Sequence, residues 1–261
     1  MAVTAVTSGG ESTIREQVSP EEWEVRVDLA AFYRVVAMHG WDDLTGTHIS
    51  AKVPGEPGNF LLNPYGLLFE EITASSLVKV NLDDEVVLEG QGGYPVNAAG
   101  FTIHSAVLGA REDVTCAAHT HTVPGMAISA IDEGLLPMHQ KAMRFYKRIS
   151  YHDYEGVATN LDERERLVRD LGGNNAMVLK NHGLLTCGPS VRTAWLLLYN
   201  LEKCCKVQLA VEASGGTPIM PSEALAESTY KQYDTMGVSS RIDGWDSLKR
   251  MLDKTDPSYK H

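Results

Sequence analysis

The sequence predicts an α/β sandwich around a mixed or mostly antiparallel sheet. Three observations carry this prediction. Short strand-like runs cluster in the middle of the chain. Helical patterns stand before, between and after them. The two alternate too irregularly for a doubly wound parallel sheet. The 261 residues suit one large domain or one domain with tails, and 43% hydrophobic with 22% charged residues is ordinary for a globular chain that buries a substantial core.

Residues 1–18 are small and polar and read as a flexible segment ahead of a domain spanning 19–219. Ser19-Pro20-Glu21-Glu22 opens a helix, with serine at the cap, proline in the first turn and carboxylates at the positive dipole end. Trp23, Val27, Ala30 and Ala31 follow at helical spacing, and Gly40 ends it. Between residues 44 and 92 the pattern is of short strands: Ile49 to Val53, then a turn from Pro54 to Gly58, then Phe60 to Leu62 and Val78 to Val80. Residues 101–111 suit a helix with Phe101, His104, Ser105 and Leu108 on one face. Val114 to Thr122 reads as strand, and so does Ala176 to Leu179. Asn160-Leu161-Asp162-Glu163 resembles a capping box for a helix that ends at Leu171-Gly172-Gly173. Pro189-Ser190 leads into a long helix to about Ala213, stopped by Gly215-Gly216. Residues 220–261 carry a weaker pattern and are expected to pack at a subunit interface. No internal repeat or low-complexity segment is present.

Charge narrows the partners. Lys plus Arg total 23 against 34 Asp plus Glu, a formal net charge of −11 with no long basic run. Nucleic acid and anionic membranes are disfavoured as general partners; the partner expected is a small-molecule substrate. Met1 to Gly10 lacks a signal-peptide pattern, and no apolar stretch is long enough to cross a bilayer. Cys116, Cys187, Cys204 and Cys205 include an adjacent pair unsuited to a mutual disulfide. Free thiols in a reducing cytoplasm are therefore expected.

His119 and His121 stand two residues apart on a strand pattern, so both rings point the same way. His182 follows the next apolar run in Asn181-His182-Gly183, where glycine permits close backbone approach. Three imidazoles with an open position form the layout of a catalytic zinc or iron centre. The bland alternative is a set of hydrogen-bonded core histidines. Cys116, three residues from His119, faces the other side of a strand and reads as core filler. His39, His152 and His261 read as surface histidines.

Several segments together resemble the class II aldolase/adducin family: Asn63-Pro64-Tyr65-Gly66-Leu67-Leu68, Ala99 to His104, His119-Thr120-His121, Tyr151-His152-Asp153-Tyr154 and Asn181-His182-Gly183-Leu184. The resemblance runs from about residue 26 to 216. It implies a three-layer α/β/α sandwich with a central mixed, mostly antiparallel sheet. It also implies a homo-oligomer, usually a tetramer with active sites between subunits. His119, His121 and His182 would be ligands to one divalent metal ion per subunit, with zinc the first choice and iron or manganese the others.

The departures from that family redirect the chemistry. Its sugar-phosphate aldolases carry a Ser-Ser-Glu run whose carboxylate is the acid/base; here the run is Ala98-Ala99-Gly100. Glycine can neither take nor give a proton. The family's Thr-Gly and Gly-Asn phosphate contacts correspond to Tyr65-Gly66 and Thr47-His48. A phosphorylated sugar is disfavoured, Ala98 to Gly100 are expected to clear space near the metal, and the pocket so altered suits an aromatic or otherwise less polar carboxylate or carbonyl substrate. His48 and Tyr65 are the candidates for proton transfer or carboxylate binding, or else they shape the wall. His104 either supports the site or packs the helix face. Glu70 and Glu71 read as a solvated turn, with rescue of acid/base chemistry as the other reading. Arg144, Lys147 and Arg148 would meet a substrate carboxylate or pair with acids. The tyrosine that a neighbouring subunit often contributes is unassigned near His139-Gln140-Lys141 and Tyr146.

Three functions compete. The first is a metal-dependent lyase, a decarboxylase or aldolase-like carbon–carbon cleaving enzyme. The second is a non-haem iron oxygenase on an aromatic acid. The third is a catalytically silent, adducin-like binding module, suggested by Gly100 and by the stretch Ala74 to Asn81.

Overall fold

Capping chemistry places the first long helix where its pattern predicts it. In the computed structural model, which describes residues 12–157, 161–236 and 244–261, a helical turn α1 (Ile14–Gln17) precedes α2 (Pro20–Met38). That turn lies in the segment expected to be flexible, and a Glu16 carboxylate accepting the Thr13 N–H at 2.8 Å closes it. Ser19 Oγ accepts the Glu22 N–H at 3.1 Å, and Gly40 turns the chain away at φ +64°. Then come β1 (His48–Lys52), β2 (Phe60–Leu62), β3 (Val78–Val80), β4 (Val86–Leu88), α3 (Ala98–Ala110), β5 (Cys116–Thr120), α4 (Val123–Ser129), β6 (Ser150–His152), α5 (Glu163–Leu171), β7 (Ala176–Leu179), β8 (Gly183–Gly188), α6 (Val191–Ala213), α7 (Glu223–Met236) and α8 (Trp245–Thr255). Helix α5 begins at Glu163; the expected cap residue Asn160 lies outside the described residues.

The eight strands form one sheet in the order β4-β3-β2-β1-β5-β8-β7-β6. Every pairing is antiparallel except β6 with β7, so the sheet is mixed and mostly antiparallel. Strand alternation splits the side chains between two cores. Ile49, Ala51, Cys116 and Ala118 pack with Phe32, Trp195 and Trp245 on the α2/α6/α8 side. Ala117, Met177, Leu185 and Cys187 pack with Phe101, Val107 and Leu167 on the α3/α5 side. The result is the α/β/α sandwich. Cys116 faces away from His119, as strand geometry requires, and all four cysteines are free and buried. No helix among the described residues is long and apolar enough to cross a membrane.

Within the chain, the C-terminal segment packs on the α2 and α6 layer. Trp245 lies in the core beside Phe32 and Trp195, and Tyr259 is fully buried against the same cluster. Arg144 and Arg148, two of the candidate substrate cations, stack on Tyr233 and Tyr230 of α7.

Candidate functional site

β5 runs mid-sheet between β1 and β8, so its last residues sit where backbone hydrogen bonds fix them from both sides. His119 pairs in register with His48 of β1 and with Leu185 of β8. Its ring shares a face with Ala117, toward α3. His121, just past the strand end, points the same way, and the two Nε2 atoms lie 2.8 Å apart. His182 enters from the β7–β8 turn. Asn181 takes φ +55° there and its N–H is held by the Ser129 carbonyl at 2.9 Å, which aims the next residue at β5. A Cβ on Gly183 would collide with the Thr120 carbonyl and stand 3.2 Å from the His121 ring, so only glycine lets the two segments close up. The outcome is one cluster: ligand atoms of His119, His121 and His182 all lie within 4.8 Å of one another.

The far side of each ring fixes its near side. His119 Nδ1–H donates to the Leu184 carbonyl at 2.9 Å, and His121 Nδ1–H to the Asp43 carboxylate at 3.0 Å. Those bonds select the tautomer whose Nε2 carries a lone pair. Burial, reinforced by neighbouring imidazoles, holds His119 well below the usual histidine range. Burial and His121 bring His182 down to about 4. Three imidazole nitrogens gathered within 4.8 Å of one another are the donor set that a zinc-class cation takes.

His48 stands beside this cluster, its ring centroid 5.0 Å from that of His119. Its Nδ1 shares a hydrogen bond of 2.8 Å with His104 Nε2, and His104 Nδ1 bonds Ser50 Oγ. His104 therefore supports the site and packs the face of α3 at once; burial takes it down to about 3. The space expected at Gly100 is filled. A Cβ there would lie 2.7 Å from His48 Cδ2, because the imidazole occupies the room the missing side chain vacates.

Tyr65 follows β2, is 46% exposed and gives its N–H to the Pro95 carbonyl. A tyrosine beside the histidines is Tyr154, whose ring lies 6.4 Å from that of His182. The sequence marked its segment, Tyr151 to Tyr154, only through the family resemblance and assigned this residue no role. His152 is buried rather than on the surface, with Nδ1 held by Asp170 at 2.7 Å and Glu163 facing Nε2 at 3.5 Å. His39 is half-buried against Trp41 and Trp195, and His261 is exposed. Glu70 and Glu71 form the exposed turn the sequence favours, with Glu71 capping the Leu68 N–H.

Residues 27–209 match the family described as class II aldolase and adducin N-terminal domain. The aldolase II superfamily protein of Pseudomonas syringae superposes with a TM-score of 0.90 and 44% identity, covering 96% of this chain and 100% of that one. L-fuculose 1-phosphate aldolase from Glaciozyma antarctica PI12 superposes with a TM-score of 0.80 and 29% identity, covering 92% and 93%. Alpha-adducin of Rattus norvegicus is 43% identical over 195 residues, 74% of this chain but 26% of that protein. The family match, the sheet order and the clustered histidines agree: the chain belongs to the class II aldolase and adducin N-terminal domain family.

Proposed function

We propose that this chain is a metal-dependent enzyme of lyase type, cleaving a carbon–carbon bond by decarboxylation or aldolase-like chemistry in a non-phosphorylated carboxylate or carbonyl substrate, aromatic acids included. One observation carries the reading. Two imidazoles are anchored through Nδ1, by Leu184 and Asp43, and turn their Nε2 atoms with His182 toward a shared point. A core-packing trio has no use for that orientation. His119, His121 and His182 would hold the ion, with zinc first and iron or manganese next. A divalent ion there polarises a carbonyl or carboxylate oxygen and stabilises the charge that develops beside it.

The chain's own residues favour decarboxylation. Gly100 offers no carboxylate to deprotonate a substrate, and loss of carbon dioxide needs none at that position. His48 is the candidate to hold a proton or a substrate oxygen beside the cluster. Tyr154, its ring 6.4 Å from that of His182, is the candidate to cover that side. Tyr65 would have a role only at the exposed rim. A homotetrameric, cytoplasmic enzyme is the accompanying proposal, supported by the family and by four free, buried thiols.

The 43% identity to an adducin favours one second reading, a binding module without chemistry. Metal analysis of protein purified without added ions, alongside His119→Ala, separates the readings. The enzymatic reading expects one divalent ion per chain, lost in the variant, and carbon dioxide release from a panel of aromatic acids by the loaded protein. Iron with oxygen uptake would replace the lyase by an oxygenase. Wild-type protein that takes up no ion sinks the enzymatic reading.

A further inference from the structure

We propose that His48 and Gly100 are a mutually exclusive pair that decides which chemical group walls the histidine cluster, with His104 and Ser50 as positioning residues, and that this wall selects anionic carboxylate substrates. The substrate half rests on the metal reading above; the coupling half does not.

The coupling is steric. A Cβ at position 100 would lie 2.7 Å from His48 Cδ2 and 2.8 Å from Cγ, closer than real carbon atoms approach. His48 has nowhere to go. Its backbone is paired with His119 across β1 and β5, and the His119 ring lies against it on one side, tilted by 31° at 5.0 Å. On the other side its Nδ1 is bonded to His104, which Ser50 holds in turn. All four of these side chains are buried. A side chain at position 100 must displace an imidazole and break a buried hydrogen bond, so one volume admits either a ring from β1 or a side chain from α3.

The chemical consequence follows from charge. Gly100 is the third residue of α3, after the Asn97 cap, and a carboxylate there would place a negative charge beside the cluster. The imidazole that takes its place carries no negative charge in either protonation state and presents a ring edge that can hydrogen-bond. Ser50 and His104 form a single file behind it. The direction in which the Ser50 hydroxyl points decides whether His48 turns N–H or lone pair outward. A dication held by His119, His121 and His182 would meet no carboxylate on this side, and an anionic carboxylate substrate is the group that would answer its charge.

Gly100→Ala, His48→Ala and the double variant, each as full chain, give the test by chemical unfolding. Gly100→Ala alone is expected to lower the unfolding midpoint or abolish folding. In the His48→Ala background the same change should be neutral or stabilising, a reversal that a merely intolerant helix would not show. Equal effects in both backgrounds overturn the coupling. The substrate half is read by zinc-loaded protein binding benzoate against benzyl alcohol. Wild type should prefer the anion by about tenfold or more, and His48→Asn/Gly100→Glu should lose that preference. A preference unchanged by the swap overturns the substrate half. If wild type binds no zinc, the metal reading and the substrate half fall together, while the unfolding cycle still reports on the coupling.

Discussion

His104 is buried with both ring nitrogens engaged, one by His48 and one by Ser50, and a charged ring has no room for its hydration there. Its folded value of about 3 lies below the ordinary 6.5. Between those values the unfolded chain binds a proton that the folded chain refuses, so stability rises with pH and drains away as pH falls from 6.5 toward 3. From pH 7 to pH 5 this one ring removes about 2 kcal/mol. His48 and His119, likewise depressed by burial, act in the same direction. Urea unfolding of metal-free protein at the two pH values measures the total. In His104→Gln the loss should shrink by about the single-ring amount, and an undiminished loss would show that the ring is hydrated in solution. Of these three rings only His119 belongs to the cluster, where the burial that makes the fold acid-sensitive also keeps the imidazole in the uncharged form that binds a cation.

At the scale of the element, the meeting of β8 with β5 makes the cluster. Gly183→Ala puts a methyl group against the Thr120 carbonyl and 3.4 Å from His119 Cε1. It is expected to cost about 1–3 kcal/mol and to weaken zinc binding as the strands part. Gly173→Ala, with nothing within 4 Å of its added carbon, is the matched control and should leave both unchanged. Unfolding curves and a zinc titration read the pair; equal behaviour of the two variants would remove Gly183 from the argument. Local patterns made much of this legible in advance. β2 and β3 stand as the alternation predicts, β1 is displaced by one residue, and the histidine strand is Cys116–Thr120 inside the expected 114–122. Spacing alone set His119 and His121 on one face, whereas their meeting with His182 needed the β5–β8 register. β6 was missed because its three residues become a strand only by parallel pairing with β7. The burial of His152 depends on Asp170 arriving from α5, and the filled space at Gly100 on how α3 lies across β1. Each of these is set by contacts between segments distant in sequence, where period and turn chemistry carry no signal.

Across the whole molecule, the site and the C-terminal segment lie on opposite faces of the sheet. The histidines face α3, while α8 and the turn after it close over α2. Trp245 meets Phe32 at 6.1 Å and Trp195 at 6.3 Å, both edge-on or tilted. The chain end is stitched down as well: the Ala74 and Ser75 N–H groups donate to the Tyr259 and His261 carbonyls, and Arg34 reaches Asp256 at 2.9 Å. The segment therefore completes the α2 layer that backs β1. Trp245→Ala leaves a cavity between that layer and the tail, and a loss of about 3–5 kcal/mol is expected, the range for deleting a buried tryptophan. Because the sheet separates that cavity from the cluster, zinc uptake per folded chain should stay at the wild-type value. Circular dichroism through a denaturant series, with zinc counted on the folded fraction, checks both statements. A midpoint that does not move would mean the tail is undocked in solution. Zinc lost together with stability would mean that the two faces are coupled through β1, and that the backing layer helps to hold His48 against His119.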